Sequence, residues 1–104
     1  MVIAAADILD QVKDIVLRAT AGRAVTVYLF GSHARGAARR LSDVDVAIDS
    51  HEPLPGDLVS NLVEALEEST VPCHVDVVDL SRSDPEFVAR VKREGVVWTN
   101  SRSA

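Results

Sequence analysis

Two closely spaced aspartates have the clearest potential for chemistry in this sequence. Asp43 and Asp45 lie in the segment 43–49, where polar and apolar residues alternate. On a strand, both side chains would therefore leave the same face. Paired carboxylates suit Mg²⁺, which takes oxygen ligands and keeps positions for water and substrate phosphates. Two such ions can stabilise both the attacking and the leaving oxygen of an in-line displacement. The alternative interpretation is a solvated acidic strand face.

A third carboxylate can come from the alternating segment 74–80, which contains Asp76 and Asp79. Strict alternation puts Asp76 and Val78 on one face of a strand and Asp79 on the other, which favours Asp76. Asp79 is the competing candidate, interpreted as a strand-end or helix-leading residue. Three acids in one place repel each other, so we expect a bound cation wherever they cluster.

Gly31 and Ser32 stand where an apolar, β-branched segment should pass from a strand into a turn. We expect a short helix over residues 32–40, whose free amides and positive dipole end would suit a phosphate. Gly31 would allow close backbone approach, and Ser32 would donate from its hydroxyl and amide. Arg35 would add positive charge or brace the loop. The alternative is an ordinary turn followed by an exposed helix.

Hydrophobic periodicity predicts the elements that must position these residues. Helices are expected over 3–19 and 57–69 and from the SDPE motif at 83–86 up to Gly95, and strands over 24–30, 43–49, 74–80 and 96–98. This order predicts an α/β (α+β) fold with a small mixed β-sheet flanked by helices. We expect a single domain over residues 1–99 and a flexible polar tail over 100–104.

Composition excludes several classes of protein. The chain has 104 residues, of which 47% are hydrophobic and 26% charged, as expected for one small globular domain. A net charge of −5 argues against direct nucleic acid binding, and no apolar run approaches the ~20 residues of a membrane span. Cys73 is the single cysteine, and the first ten residues lack a secretion signal. We expect a cytoplasmic protein.

The combined motif resembles a known family. Gly31-Ser32, ten intervening residues and Asp43-x-Asp45 resemble the signature of the nucleotidyltransferase superfamily that includes DNA polymerase beta. The short chain is similar to its minimal nucleotidyltransferase branch, the MntA-type antitoxins. The similarity extends over nearly the whole chain, through the stretches GSHARG, SDVDVAI, VDVVDL and REGVVW. His33 departs from the pattern, since relatives often have Arg or Tyr there.

The resemblance implies a nucleotidyltransferase fold and transfer of a nucleotide from ATP to a hydroxyl, with pyrophosphate leaving. In that interpretation Gly31 and Ser32 hold the distal phosphates, with Arg35 as a further nucleotide-binding residue. Asp43, Asp45 and Asp76 are then the catalytic carboxylates and the ligands of two Mg²⁺ ions. Asp76 would also help to deprotonate the acceptor hydroxyl.

The acceptor is expected to lie on another polypeptide, because only 28 residues follow Asp76. The resemblance implies a helical HEPN ribonuclease toxin, with AMP transferred to its tyrosine and this chain as the antitoxin of a type VII toxin-antitoxin pair. A homodimer or a hetero-oligomer would fit this arrangement. Two alternatives stay open at this point: a non-catalytic antitoxin that neutralises a partner by contact, and an aminoglycoside-type transferase acting on a small molecule.

Overall fold

A computed structural model describes the backbone of residues 5–39 and 41–100, and the side chains of 7–39 and 41–98. In chain order, the elements are α1 (Ala5–Ala19), β1 (Val25–Phe30), β2 (Val44–Ser50), α2 (Gly56–Glu68), β3 (Val75–Asp79), α3 (Pro85–Glu94) and β4 (Val96–Asn100), with a 3₁₀ turn at Leu80–Arg82. The predicted α/β class and mixed sheet are confirmed. Residues 3–4 of the predicted first helix and 101–104 of the predicted tail lie outside the described residues, whereas Asn100 belongs to β4.

The sheet has the strand order β3-β2-β1-β4. Strand β1 is antiparallel to both β2 and β4, whereas β2 and β3 are parallel and are joined through α2. A parallel pair needs such a crossover because the chain must return to the same end of the sheet. None of the described helices has the length and hydropathy needed to cross a membrane.

One face of the sheet is covered by α1 and α2, and we call it the two-helix face. The period of the apolar residues in both helices directs one stripe toward the strands. Leu62 of α2, for example, is 1% exposed. This larger core is made of aliphatic residues: Val12, Val16, Val25, Val27, Leu29, Val44, Val46, Ile48, Leu54, Leu58, Leu62, Leu66 and Val75. It contains most of the apolar burial in the described chain.

The opposite face, which we call the one-helix face, carries α3 and the 3₁₀ turn over a smaller core. Its buried members are Ala47, Leu80 and Val91, with Tyr28, Phe30, Val78, Phe87 and Val88 partly buried around them. Helix α3 begins where the sequence predicts, because the Asp84 side chain accepts a hydrogen bond from the Glu86 amide at 3.4 Å and Pro85 occupies the first turn. This helix covers only part of the face.

The prediction of a short helix over residues 32–40 is wrong, since residues 31–36 form consecutive turns. Gly31 and Gly36 have φ values of +76° and +70°, which a right-handed helix does not accommodate. The Arg35 amide donates to the Gly31 carbonyl at 3.2 Å, giving one helix-like turn that is not continued. No helix dipole therefore supports a phosphate here, and the turn can offer only its amides and side chains.

Candidate active site

The three candidate carboxylates come from the ends of two neighbouring strands. Asp45 of β2 and Asp76 of β3 are direct partners in the parallel register, and Asp43 lies one residue before β2. On its other side, Asp45 is paired with Phe30, the last residue of β1. Strand pairing therefore brings the end of β1 and the acidic residues to the same place, as the sequence motif requires.

Gly31 joins the phosphate half of the motif to the acidic half. A Cβ atom at this position would collide with Asp45 Oδ2 and lie 3.1 Å from Asp45 Cγ. Its positive φ also disfavours any residue with a side chain. Glycine is thus required here twice, by the backbone conformation and by the close approach of the Asp45 carboxylate.

The carboxylates disturb one another electrostatically. Burial raises the pKa of Asp45, and the negative charges of Asp76 and Asp43 together with a hydrogen bond to Asp76 raise it further. His33 acts in the opposite direction. A raised carboxyl pKa means that the ionised form is disfavoured in the folded protein. The nearby positive charge is therefore too small to balance the carboxylates, and a cation bound here would supply it.

Two histidines contact this region in different ways. His74 Nε2 lies 2.8 Å from Asp76 Oδ1, and this hydrogen bond together with the Asp76 charge raises the pKa of His74. His33 Nε2 lies 3.1 Å from the Ser42 carbonyl oxygen and links the Gly31 turn to the segment that leads into β2. Ser42 Oγ also accepts from the Arg39 amide at 2.8 Å. The unusual His33 thus has a structural contact.

The donor set fits a hard cation in its chemistry. The groups are carboxylate oxygens, two of them in contact, and the Asp45 carboxylate occupies the space that a side chain at position 31 would fill. In the described residues, no three His, Cys, Asp or Glu side chains are grouped as a ready metal site. The Asp76 carboxylate, whose side chain is 54% exposed, contacts both His74 and Asp45.

Asp79, the competing candidate, has a different environment. Its carboxylate accepts hydrogen bonds from the Ser81 amide at 2.9 Å and the Ser81 hydroxyl at 2.7 Å, and lies 3.7 Å from Arg82 Nε. It caps the 3₁₀ turn and is paired in register with Ile48 rather than with an acid. Geometry therefore brings Asp76, and not Asp79, to Asp45, while the metal-binding role of Asp76 stays a prediction.

A cleft of about 480 Å³ begins at Gly31 and extends between the end of β1 and α3. Arg35 lines it, as does Gly31, whereas Ser32 is half-buried in the turn beside it. The remaining lining residues are Phe30, Phe87, Arg90, Val91 and Glu94. The sequence interpretation missed the contribution of α3, although the spacing of its lining residues by three and four is the signal of one helix face.

Comparison with known proteins decides the family. The family model described as Polymerase beta, Nucleotidyltransferase matches residues 10–103. The chain belongs to this family. A relative from Haemophilus influenzae, named "Probable protein adenylyltransferase MntA", is 39% identical over 72 residues. That match covers 69% of this chain and 63% of the relative, so the chain spans less than two thirds of that protein's length.

Solved structures confirm the nucleotidyltransferase fold predicted for this family member. A crystal structure of a toxin-antitoxin with AMP-PNP has a TM-score of 0.69 at 23% identity, covering 88% of this chain and 75% of that chain. A second structure contains the tri-AMPylated Shewanella oneidensis HEPN toxin in complex with MNT antitoxin. Its TM-score is 0.59 at 20% identity, with 90% and 74% of the two chains covered.

Proposed function

We propose that this chain is an Mg²⁺-dependent adenylyltransferase that moves AMP from ATP to a tyrosine hydroxyl of a HEPN-type toxin, and that it acts as the antitoxin of a type VII pair. The observation that carries the proposal is the junction of the two half-motifs, where the absence of a side chain at Gly31 lets the carboxylate of Asp45, the register partner of Asp76, come close to the turn. Family membership and the name of the Haemophilus relative support the same activity.

In this proposal the turn after β1 holds the nucleotide. The Gly31 backbone approaches the phosphates closely, Ser32 donates from its amide and hydroxyl, and Arg35 contributes positive charge from the adjoining cleft wall. Within the described residues, no hydrogen bond occupies the Ser32 hydroxyl. Phosphoryl transfer depends mainly on positioning and charge neutralisation, so a turn of this kind needs no protein nucleophile.

Asp43, Asp45 and Asp76 would hold the Mg²⁺ ions. When bound, Mg²⁺ supplies positive charge that neutralises the phosphates and the developing charge on the oxygens. The carboxylates orient the reacting groups. Asp76 accepts the proton of the acceptor hydroxyl, since it is more exposed than its register partner Asp45. Burial raises the pKa of Asp45 and the charges of Asp76 and Asp43 raise it further, and a bound cation would relieve this repulsion.

The acceptor is proposed to lie on a separate protein, because α3 covers the one-helix face only in part and leaves Asp76 open to solvent. A net charge of −5 favours association with a basic partner such as an RNA-cutting enzyme. One of the solved structures with a similar fold contains a HEPN toxin in complex with an MNT antitoxin. We also propose that the protein is cytoplasmic. It would form either a homodimer or a hetero-oligomer with the toxin.

The test is intact mass spectrometry of a HEPN-type protein encoded in the adjacent reading frame, after incubation with this chain, Mg²⁺ and ATP. We expect a mass gain in whole AMP units, and the Asp43→Asn/Asp45→Asn variant should lower the rate by about 100-fold or more. Asp49→Asn is the matched control, since Asp49 lies on the same strand but pairs with Lys92 Nζ at 3.2 Å. It should retain transfer.

The alternatives predict different results in the same experiment. A stable complex that neutralises the toxin without any mass gain, even with the double variant, would establish an antitoxin acting by contact. Consumption of ATP with a hydroxylated antibiotic, and none with the protein, would establish a small-molecule transferase. Either result would contradict the proposed function.

A further inference from the structure

Helix α3 carries a guanidinium group for which the proposed chemistry has so far no role. Arg90 lines the cleft that begins at Gly31, opposite the turn that carries Arg35. Gly31 is also the residue that approaches the Asp45 carboxylate. The cleft therefore starts at a residue that adjoins the Asp45 carboxylate, and a molecule whose reacting atom lies near Asp45 can extend past Gly31 toward Arg90.

The cations of α3 differ in their partners. Lys92 Nζ lies 3.2 Å from Asp49 Oδ2, and Arg93 lies 3.8 Å from the Glu94 carboxylate. Over the described ranges, neither Arg90 nor Arg35 has a carboxylate within ion-pair distance. Because Arg93 offsets the charge of Glu94, the cleft keeps two uncompensated guanidinium groups, a composition that favours an anion.

Aromatic packing orders Arg90. Its guanidinium carbon lies 5.5 Å from the centre of the Phe87 ring, within the range of a cation–π contact. The Phe87 ring meets Phe30 edge-on, with centroids 5.6 Å apart and planes at 83°. Since Phe30 ends β1 immediately before Gly31, the ring pair ties the position of Arg90 to that of the phosphate turn. A positioned side chain loses less entropy when it binds a ligand.

We propose that Arg90 is a further nucleotide-binding residue, whose guanidinium, together with Arg35, holds the terminal phosphates of ATP in the cleft between Gly31 and α3. The inference rests on the proposed function. Two guanidinium groups that line one cleft match the part of the triphosphate that carries most charge and leaves as pyrophosphate. They would make the site prefer triphosphates over monophosphates.

The experiment measures binding of ATP, ADP and AMP, each with Mg²⁺, to the full chain by isothermal titration calorimetry. We expect Arg90→Ala to weaken ATP binding by about 10-fold to 100-fold, as for a lost charge-assisted hydrogen bond, while AMP binding changes by less than about 2-fold. Arg90→Lys keeps the charge but not the planar fork, and should give an intermediate loss.

Arg18→Ala is the matched control. It removes the same charge, but Arg18 lies on α1 and its side chain is 80% exposed. It should bind ATP as the wild type does, and circular dichroism should show the same fold for all variants. Equal ATP binding by Arg90→Ala and the wild type would overturn this inference and leave the proposed function intact. An equal loss for ATP, ADP and AMP would also overturn it, since Arg90 would then contact the nucleoside.

The two proposals can fail separately. A wild-type protein that does not bind ATP with Mg²⁺ would overturn the proposed function and this inference with it. Normal transfer of AMP by the wild type, with an unchanged KM for ATP in Arg90→Ala, would leave the proposed function intact and overturn only the role of Arg90.

Discussion

The two faces of the sheet differ in what they bury. On the two-helix face, Val27, Val46 and Ile48 are fully buried beneath α1 and α2. On the one-helix face, the corresponding positions of the same strands include Asp45, which faces other carboxylates at the edge of a small core. Alternation along each strand produces both faces from one stretch of sequence.

This difference teaches how a chain of 104 residues can hold a charged site at all. Repulsion among carboxylates lowers stability, and a small domain has little stability to lose. Aliphatic burial on the two-helix face supplies the stability, while Asp43 and Asp76 are exposed and Asp45 is half-buried, as the proposed contact with a ligand requires. The two faces should therefore respond differently to substitution.

The largest effect on stability is expected on the two-helix face. Leu62→Ala removes a side chain that is 1% exposed and should lower the free energy of unfolding by about 2–5 kcal/mol. Val88→Ala, at a partly buried position on α3, should cost about 1 kcal/mol. Urea unfolding followed by circular dichroism measures both. Equal losses would contradict the distinction between the faces.

Gly31→Ala should cost stability and activity together. A positive φ makes alanine unfavourable by about 1–2 kcal/mol, and its Cβ would also collide with the Asp45 carboxylate. Gly22→Ala is the matched control, because Gly22 has φ +80° and nothing within 4 Å of an added Cβ. We expect a larger fall in melting temperature for Gly31→Ala and a loss of ATP binding. The same fall in both variants, with ATP still bound, would show that the close approach has no importance.

Asp79→Ala should affect stability and leave transfer unchanged. Loss of the cap on the 3₁₀ turn costs about 0.5–2 kcal/mol by analogy with helix N-caps. Asp76→Ala should have the opposite effect, abolishing AMP transfer with little change in unfolding, since Asp76 is exposed. Thermal melts and the mass-spectrometric assay separate the two. A folded Asp79→Ala protein without transfer would make Asp79 the third catalytic carboxylate.

The smallest effect is a gain in stability at neutral pH for Asp45→Asn. Because the pKa of Asp45 is raised in the folded protein, its ionised form destabilises the fold at neutral pH. This penalty disappears as the pH falls through the raised pKa to below the ordinary one. The variant should therefore melt higher at pH 7, and the difference should shrink on acidification.

The control for this pH dependence is Asp10→Asn, at an exposed position of α1. It should show no gain at pH 7. Mg²⁺ should raise the melting temperature of the wild type more than that of Asp45→Asn, because the variant lacks one of the three carboxylates proposed to hold the cation. A lower melting temperature for Asp45→Asn at pH 7 would contradict the raised pKa.

Most elements were predictable from the sequence because their signals are local. The SDPE motif predicts the start of α3, and the alternation of residues 43–49 predicts β2 with an error of one residue at each end. The helix predicted over 32–40 failed for a reason that is also local, since Gly31 and Gly36 adopt positive φ. Alanine and arginine favour a helix, but their propensity is weaker than this backbone constraint.

The sequence by itself determined the family motif, the order of the elements and the candidate residues, since each depends on residue type and short-range spacing. Alternation favoured Asp76 over Asp79, but only the tertiary structure decided which acid meets Asp45, because the register of β3 against β2 sets that pairing. It also brought Arg90 to the cleft, more than fifty positions along the chain from Gly31. Such contacts follow from strand pairing and helix packing between distant segments, which no local pattern encodes.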